Sequence, residues 1–356
     1  MNVYRIRFLI IALMSLQCAI SIQACAQSNA CSAPVQSCIY SDPNSPNGII
    51  VVPPVPVHLG PCPTTGPGCA ICAAKTYACY SAGAANEVCP FCNGGRTAQA
   101  GAPIDLATGN VYVSQPDISV PGLGGGLGLV RTWNSLMPTI QNSFPSMFGP
   151  NWRSNYEERI ITTSGDGYLK YARGDGSVWS FGFASADSQL TYKTAAPRND
   201  GSTVVTGSSY YTLTSKSGEK RLFDNTTGAL LSIIDRNGNT TQLTYDASNR
   251  LVTVTDAAGR HLYFGYASGS SNLVTSVTSD VGITMSYSYE AQGRLSQVTK
   301  PDNTTASFTY DAQSRITAVT DSAGRVLESH TYDAVGRGLS SSRANGVGSV
   351  TVTYPQ

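Results

Sequence analysis

The sequence has few charged side chains and few histidines. Asp, Glu, Lys and Arg together make up 13% of its 356 residues, about half of the usual share. The formal net charge is +1, and the chain contains 3 histidines. Because binding to a nucleic acid requires a basic patch or stripe, we expect no nucleic-acid partner for this protein.

Sustained helical periodicity is scarce after residue 30, whereas Gly, Ser and Thr are abundant. This combination favours β-structure with many turns over helices. The uncharged stretch at residues 8–22 is 15 residues long, which is short of the roughly 20 residues that span a bilayer. No later stretch is apolar enough either, so we expect no membrane span.

The motifs that commonly carry catalysis are missing from the sequence. No His-Glu-x-x-His or Gly-x-Ser-x-Gly sequence occurs, and the glycine-rich residues 122–128 lack the spacing of a dinucleotide-binding loop. Most acidic residues stand in sequences typical of turns. We therefore predict that the protein is not an enzyme, has no catalytic residue and binds no cofactor.

Cysteine is confined to the beginning of the chain, where all 10 cysteines lie at or before residue 92. Residues 1–26 are typical of a signal peptide, because Arg5 and Arg7 precede the uncharged stretch and small residues flank Cys25. A second interpretation is a loose lipobox that ends at Cys25, which would leave a lipid anchor there. Both interpretations predict a protein that is secreted or lies in the periplasm or at the cell surface.

An even number of cysteines follows in one segment of this exported chain, which indicates disulfide bonds. The disulfide candidates are Cys31, Cys38, Cys62, Cys69, Cys72, Cys79, Cys89 and Cys92. The alternative is a zinc site, whose spacing is met by Cys69, Cys72, Cys89 and Cys92. Because oxidation competes with zinc binding after export, we predict disulfide bonds and no metal.

What the chain has in abundance is a repeated pattern in its C-terminal half: an aromatic residue, an acidic residue, a short polar turn, and Arg before an apolar strand. The signature residues are Tyr245, Asp246, Arg250, Tyr289, Arg294, Tyr310, Asp311, Arg315, Tyr332, Asp333 and Arg337. A looser copy begins at Phe223, and Tyr266 marks a degenerate one. From Phe223 to Tyr332 the aromatics are 22, 44, 21 and 22 residues apart, and such a fixed period indicates a repeat architecture.

Each repeat has the composition of a β-hairpin. Segments such as 251–255 and 284–289 alternate and are rich in Thr, Val and Tyr, which suit strands. The acidic residue can bond the backbone of its own turn, Gly or Asn tolerates a positive φ, and the Arg stem can lie on an aromatic face. A second turn follows in each repeat, as at Asp256 and Asp321. Two strands and two turns per repeat predict a continuous antiparallel ribbon.

These sequences resemble the RHS, or YD-repeat, family. The resemblance rests on Tyr245-Asp-Ala-Ser-Asn-Arg-Leu251, Tyr310-Asp-Ala-Gln-Ser-Arg-Ile316 and Thr255-Asp-Ala-Ala-Gly-Arg260. Upstream, residues 101–110 resemble the N-terminal RHS-associated domain of unknown function that precedes such repeats. Trp133 and Trp152 lie in the continuation of this match, and we expect both to anchor a core.

The predicted fold is all-β: an antiparallel β-hairpin ribbon of YD repeats that forms a partial spiral sheet, preceded by a small Cys-rich disulfide segment. Four parts are predicted along the chain. They are a signal peptide at 1–26, a Cys-rich and Pro-rich segment at 27–97, the RHS-associated N-terminal domain at 98–165, and YD/RHS β-hairpin repeats at 166–356.

The resemblance implies a ribbon of the kind that, in long family members, spirals into a shell around a toxic C-terminal domain. This sequence shows neither the Asp-Pro-x-Gly motif of such members nor a toxin domain, and its repeats are too few to wrap a complete shell. We therefore expect a non-enzymatic exported scaffold or interaction protein, such as a partial shell of a toxin-delivery system. Its partner would be another RHS or toxin polypeptide. The alternative is a cell-surface carbohydrate-binding protein, with sugar rings stacking on the regularly spaced tyrosines.

Overall fold

The structure is a computed structural model that describes residues 38–40, 50–52, 99–162, 168–186, 189–196, 200–268 and 271–354. The chain separates into two compact units, one made of Met1–Ala84 with Thr163–Tyr168 and the other of Ala85–Thr162 with Leu169–Gln356. In the first unit, strands β1 (Cys38–Tyr40) and β2 (Ile50–Val52) pair as an antiparallel hairpin. The second unit contains the repeats and the region that precedes them.

The part of the second unit before the repeats is called the upstream region (residues 99–158). Its strands are β3 (Gln99–Ala100), β4 (Ile104–Asp105), β5 (Tyr112–Val120), β6 (Leu127–Asn134) and β7 (Trp152–Ser154). Strands β3 and β4 pair with each other, and β5, β6 and β7 form a three-stranded antiparallel sheet. Short 3-10 turns occupy Leu123–Gly125 and Thr139–Ser143.

The chain then forms a long ribbon of short strands separated by tight turns. The strands of the ribbon are β8 (Arg159–Thr162), β9 (Tyr168–Ala172), β10 (Val178–Ala186), β11 (Leu190–Ala196), β12 (Thr203–Thr206), β13 (Tyr210–Thr214), β14 (Lys220–Asp224), β15 (Leu230–Ile234), β16 (Thr240–Tyr245), β17 (Leu251–Thr255), β18 (His261–Tyr266), β19 (Val274–Ser279), β20 (Thr284–Tyr289), β21 (Leu295–Thr299), β22 (Thr305–Tyr310), β23 (Ile316–Asp321), β24 (Val326–Tyr332), β25 (Gly338–Arg343) and β26 (Val350–Thr351). One 3-10 turn, Ala344–Gly346, precedes the last strand.

Neighbouring strands of the ribbon pair antiparallel in the order of the chain. This holds for each step from β10 to β26 and for β8 with β9. The described residues contain no α-helix, and among them no helix is long and apolar enough to span a bilayer. The prediction of an all-β, antiparallel fold is therefore confirmed.

The ribbon is one large sheet whose strand order closes on itself. An isolated bridge pairs Arg159 of β8 with Ala229, and the N–H of Ile160 donates to the carbonyl of Gly228 at 2.9 Å. Gly228 permits this contact, because a Cβ at its position would lie 2.0 Å from the carbonyl oxygen of Ile160. A later turn of the ribbon thereby contacts its first strand.

Side chains alternate between two faces of the ribbon, as the pleat of a strand requires. The inner face carries buried apolar side chains, which are Leu243, Val254, Phe264, Val277, Tyr287, Val298, Phe308 and Val319. The outer face carries mostly Ser, Thr and Gln, such as Gln242, Ser286 and Ser307. A shift of one residue in any strand would exchange the two faces, so the burial of one face specifies the register of the ribbon.

Many of the turns that join the strands share one conformation. In the turn at Asp246, the N–H of Asn249 donates to the carbonyl of Asp246, and the N–H of Asp246 donates to the carbonyl of Arg250, both at 2.9 Å. The fourth residue of such a turn has a positive φ, as in Asn249 (59°), Gly259 (75°) and Ser314 (62°). Three-residue hairpin loops place a residue in this left-handed region, which explains why Gly and Asn recur there.

Candidate functional site

The tyrosines of the repeat signature link each repeat to the one before it. The hydroxyl of Tyr310 donates to the carbonyl of Leu295 at 2.8 Å, and Leu295 begins a strand of the preceding repeat. The same bond joins Tyr245 to Leu230, Tyr266 to Leu251, Tyr289 to Val274, Tyr332 to Ile316 and Tyr354 to Gly338, at 2.6–2.7 Å. Each hydroxyl thus satisfies the backbone carbonyl of the first residue of a strand.

The acidic residue of the signature organises its own turn. One oxygen of Asp311 accepts the backbone N–H groups of Gln313 and Arg315 at 2.9 Å, and the other pairs with the guanidinium of Arg315 at 2.6 Å. The turns at Asp246, Asp256, Asp321 and Asp333 repeat this arrangement. In the turn at Glu290, the carboxylate pairs with the side chain of Arg294 at 2.5 Å.

These hydrogen bonds also set the charge of the turn carboxylates. In the Asp246 turn, the backbone N–H of Arg250 has the largest effect and lowers the pKa of the carboxyl below its ordinary value. Partial desolvation opposes this effect, and the Arg250 side chain and the N–H of Ser248 add to it. The carboxylate is therefore ionised and occupied by its own turn at neutral pH.

The arginine of each signature lies on the tyrosine of the next repeat. The guanidinium carbon is 4.8 Å from the ring centroid for Arg250 and Tyr266, 5.1 Å for Arg294 and Tyr310, 4.9 Å for Arg315 and Tyr332, and 4.2 Å for Arg337 and Tyr354. Such a contact is a cation–π interaction. A sugar ring would have to displace the arginine to stack on this face, so the arrangement suits linkage between repeats.

All the signature residues that the sequence predicts therefore lie along one edge of the ribbon, as a ladder of linked turns. Two tyrosines outside that set, Tyr266 and Tyr354, take part in the ladder in the same way. Tyr266 is the degenerate copy that the sequence indicates, 21 residues from Tyr245, and the spacing could also have found Tyr354, which is 22 residues from Tyr332. The acidic residue after the aromatic is missing in both cases, which weakens the sequence pattern.

A buried polar cluster joins the upstream region to the inner face of the repeats. The guanidinium of Arg131 pairs with the carboxylate of Asp117, and the two side chains are 1% and 3% exposed. The hydroxyl of Tyr287, on strand β20, donates to the same carboxylate at 2.8 Å. The Arg131 guanidinium carbon also lies 4.8 Å from the ring centroid of Trp152. No sequence motif predicts this cluster, because its members are up to 170 residues apart along the chain.

The charge of Asp117 keeps Arg131 of this cluster protonated, and burial together with that charge keeps Tyr287 protonated. Burial opposes the charge of Arg131, but Asp117 more than offsets this effect and holds the pKa of the guanidinium above its ordinary value. Burial, followed by the charge of Asp117, raises the pKa of Tyr287 well above its ordinary value. A phenol and a guanidinium whose pKa values are both raised keep their protons, which suits a structural joint better than acid–base chemistry.

Further contacts spread the joint over successive repeats. Trp152 donates its indole N–H to the hydroxyl of Tyr310 at 3.3 Å and lies edge-on to Phe308, with ring centroids 5.2 Å apart. Trp133 contacts Tyr332 in the next repeat, with centroids 6.4 Å apart. Trp133 and Trp152 are both fully buried, and their contacts anchor the upstream region on the inner face of the ribbon.

The candidate cysteines lie in the part of the chain that the structure leaves undescribed, apart from the backbone of Cys38 at the beginning of β1. The disulfide bonds and the alternative zinc site remain predictions. The signal peptide and a lipid anchor at Cys25 also fall outside the described residues and remain predictions.

The repeat ladder and the domain packed on its inner face define the class of protein. Two family models match the chain: the RHS Repeat model at residues 225–261 and 289–326, and Domain of unknown function (DUF6531) at residues 101–181. The chain therefore contains RHS repeats and carries DUF6531 upstream of them, as the sequence predicts.

Individual proteins show the same relationship over shorter spans. The chain is 35% identical over 145 residues to the tRNA nuclease WapA of Bacillus subtilis (strain 168), which covers 41% of this chain and 6% of WapA. Among solved structures, TcdB2-TccC3 is 14% identical over 66% of this chain and 15% of its own, with a TM-score of 0.28. The Photorhabdus luminescens Tc holotoxin pore gives 14% identity, 66% and 14% coverage, and a TM-score of 0.27. Whole folds do not superpose at such TM-scores, and this chain spans a small part of each protein.

Proposed function

We propose that this protein is a non-enzymatic, exported scaffold that forms one domain-filled part of an RHS shell and associates with another RHS or toxin polypeptide. The observation that carries the proposal is the joint between DUF6531 and the repeats. Through Asp117, Tyr287 and Trp152, the upstream region is bonded to the inner face of the ribbon. Because the upstream region fills this inner face, we infer that this part of the shell encloses its own domain and no separate cargo.

The chemistry of the described residues supports a structural role. The acidic and basic side chains of the repeat turns pair with each other at the edge of the ribbon, as in Asp311 with Arg315 and Asp333 with Arg337. The tyrosine hydroxyls bond to backbone carbonyls. These groups are committed to holding neighbouring hairpins together, which is what a rigid wall requires.

The relatives supply the type of partner. WapA is a tRNA nuclease, and the stretch similar to this chain is 6% of its length. We infer that this stretch supports or encloses an enzyme rather than being one, and that the present chain does the same for a separate polypeptide. Export is supported by the sequence of residues 1–26.

Co-purification tests this function. We would co-express the full chain with a tagged, longer RHS polypeptide that carries a toxin domain and comes from the same organism. We expect the two to elute as one complex, and the longer chain to resist limited proteolysis more than it does alone. Separate elution at micromolar concentration, with unchanged proteolysis, would contradict the proposed function.

A variant of the joint provides the matched control for this experiment. Trp152→Ala removes an indole that contacts both Tyr310 and Phe308, whereas Trp179→Ala removes a partly buried indole on β10. If the filled inner face is the functional feature, Trp152→Ala reduces the resistance of the longer chain to proteolysis. Trp179→Ala reduces this resistance less. Equal effects of the two substitutions would count against the joint.

A further inference from the structure

The inner face of strand β24 carries a polar pair where the other repeats are mostly apolar. Two residues before the signature tyrosine, the buried residues of the other repeats are Leu243, Phe264, Tyr287 and Phe308, and four residues before it they are Thr241, Leu262, Met285 and Ala306. Strand β24 carries His330 and Glu328 at these two positions. Because other repeats fold with Phe, Leu or Met there, folding does not require the pair.

His330 is buried without a hydrogen bond. Its side chain is 0% exposed, and neither Nδ1 nor Nε2 has a hydrogen-bond partner among the described residues. The Oε2 atom of Glu328 is also buried and lacks a partner in the same part of the chain. Buried polar atoms that bond to nothing are unfavourable for folding, and in native proteins they often mark the place of an ion or a water molecule.

The distance between the two side chains suits an ion that both of them contact. Nε2 of His330 lies 3.6 Å from Oε2 of Glu328, whereas a hydrogen bond would bring these atoms to about 2.7–2.9 Å. Zinc lies about 2.0–2.2 Å from an imidazole nitrogen or a carboxylate oxygen, so two such ligands of a tetrahedral site are roughly 3.3–3.6 Å apart. The pair shares one face of β24, because residues two apart on a strand do so.

The surroundings of the pair provide room for water ligands. Ser341 on β25 lies opposite His330 and is buried. Its hydroxyl donates to the carbonyl of Ala102, so its oxygen can still accept a hydrogen bond from a water on the ion. The side chain of Glu328 is 25% exposed, which connects the pair to solvent. No third His, Cys, Asp or Glu completes a metal-binding group within the described ranges, so water would occupy the remaining positions.

We propose that Glu328 and His330 bind one divalent transition-metal ion of the zinc type. An imidazole nitrogen beside a carboxylate oxygen suits zinc and its neighbours, whereas calcium and magnesium take oxygen ligands. The exposed Arg343 lies opposite Glu328, and its charge competes with the ion and limits the affinity. This site is separate from the scaffold function and from the cysteines, for which the sequence predicts disulfide bonds and no metal.

The position of the site indicates what the ion would do. Gly101, beside Ala102, packs closely on β25 and β26, because a Cβ at Gly101 would lie 3.0 Å from the Cβ of Ser341 and 2.7 Å from Val350. An ion on β24 is therefore linked through Ser341 to the beginning of the upstream region. Its binding stabilises this part of the fold, since a ligand that binds only the folded chain shifts the unfolding equilibrium.

The test uses the purified full chain without a polyhistidine tag and with its thiols alkylated, so that cysteine does not bind the ion. Calorimetric titration with zinc chloride measures the stoichiometry and the Kd. Two variants address the pair, His330→Phe and Glu328→Met. Each installs a residue type that another repeat carries at the same position, as in Phe308 and Met285.

His261→Thr is the matched control. His261 also lies beside a carboxylate, that of Asp280, but its Nδ1 is at the hydrogen-bond distance of 2.6 Å and its side chain is 33% exposed. Thr284 occupies the equivalent position of the next repeat, so the substitution suits the fold.

We expect one zinc ion per chain, a Kd that rises about tenfold or more in His330→Phe and Glu328→Met, and an unchanged Kd in His261→Thr. Zinc should raise the midpoint of thermal unfolding of the parent chain and the control, but not that of the two pair variants. An alkylated chain that binds no zinc, or binds it only at millimolar concentration, overturns the proposal. Equal affinity of the parent chain and both pair variants also overturns it. If His330→Phe fails to fold, Glu328→Met decides the question.

Discussion

The guanidinium carbon of Arg315 lies 4.9 Å from the ring centroid of Tyr332, one repeat further along the chain. The same guanidinium pairs with Asp311 in its own turn and donates to the backbone carbonyl of Asp333 at 2.7 Å. One side chain thus holds two hairpins together. In repeat proteins, stability comes largely from such interfaces between neighbouring units, so the signature residues act between repeats as much as within them.

The first prediction concerns this arginine. Arg315→Ala removes the ring contact, the ion pair and the bond to Asp333, and we expect the free energy of unfolding to fall by about 1–3 kcal/mol. Arg325→Ala removes an arginine that pairs with Asp321 in the same way but is 79% exposed, and such surface pairs contribute about 0–1 kcal/mol. Urea unfolding of both variants measures the difference. Equal losses would show that the contact between repeats adds nothing.

The second prediction concerns the joint on the inner face. Asp117→Asn leaves the guanidinium of Arg131 buried without its counter-charge, and we expect a loss of about 3–5 kcal/mol. Tyr287→Phe removes one hydrogen bond to Asp117, and we expect a loss of about 1 kcal/mol. Chemical unfolding ranks the two variants. A loss in Tyr287→Phe as large as that in Asp117→Asn would refute the assignment of Asp117 as the buried counter-charge.

The third prediction concerns the turns. Ser314 has a φ of 62° and Gly324 a φ of 75° at equivalent positions of two turns. Because a side chain in this left-handed region costs about 1–2 kcal/mol, Ser314→Gly should stabilise the protein, by about 1 kcal/mol or less once the greater freedom of unfolded glycine is counted. Gly324→Ser should destabilise it, although a Cβ there would meet nothing within 4 Å. The unfolding midpoints of the two variants should therefore move in opposite directions.

The fourth prediction concerns a buried lysine on strand β9. Burial lowers the pKa of Lys170 from 10.5 to about 7. Between these two values the unfolded chain binds a proton that the folded chain does not, so the contribution of Lys170 to stability rises with pH through this window. Lys170→Met should therefore stabilise the protein most at pH 6 and least at pH 10.

Unfolding in urea at pH 6, 8 and 10 measures this dependence. Lys220→Met is the control, since Lys220 is exposed on β14. If the gain from Lys170→Met is the same at all three values of pH, folding does not lower the pKa of Lys170, and the prediction is wrong.

Turn chemistry and strand alternation are local properties, and for that reason the sequence predicts them well. Asp246, Asn249 and Arg250 form their turn through contacts within five residues. The direction of the arginine contact is not local. Nothing in the sequence indicates that Arg250 lies on Tyr266 of the following repeat, because that depends on how neighbouring hairpins pack.

The sequence also does not predict where the upstream region packs on the ribbon. Trp133 and Trp152 are expected to be buried because they are large and apolar, but their contacts with Tyr332 and Phe308 depend on how the upstream region packs on the ribbon. Neighbours across strands also depend on register, because only strand pairing places Ser276 opposite Gly265.

The sequence by itself determined the period, the hairpins, the antiparallel sheet and the family, since these follow from residues that are neighbours along the chain. Only the tertiary structure decided that the upstream region packs on the inner face and that Asp117 and Arg131 meet Tyr287 there. The physical reason is distance along the chain. Contacts between residues more than a hundred positions apart depend on tertiary packing, and a local sequence pattern does not predict them.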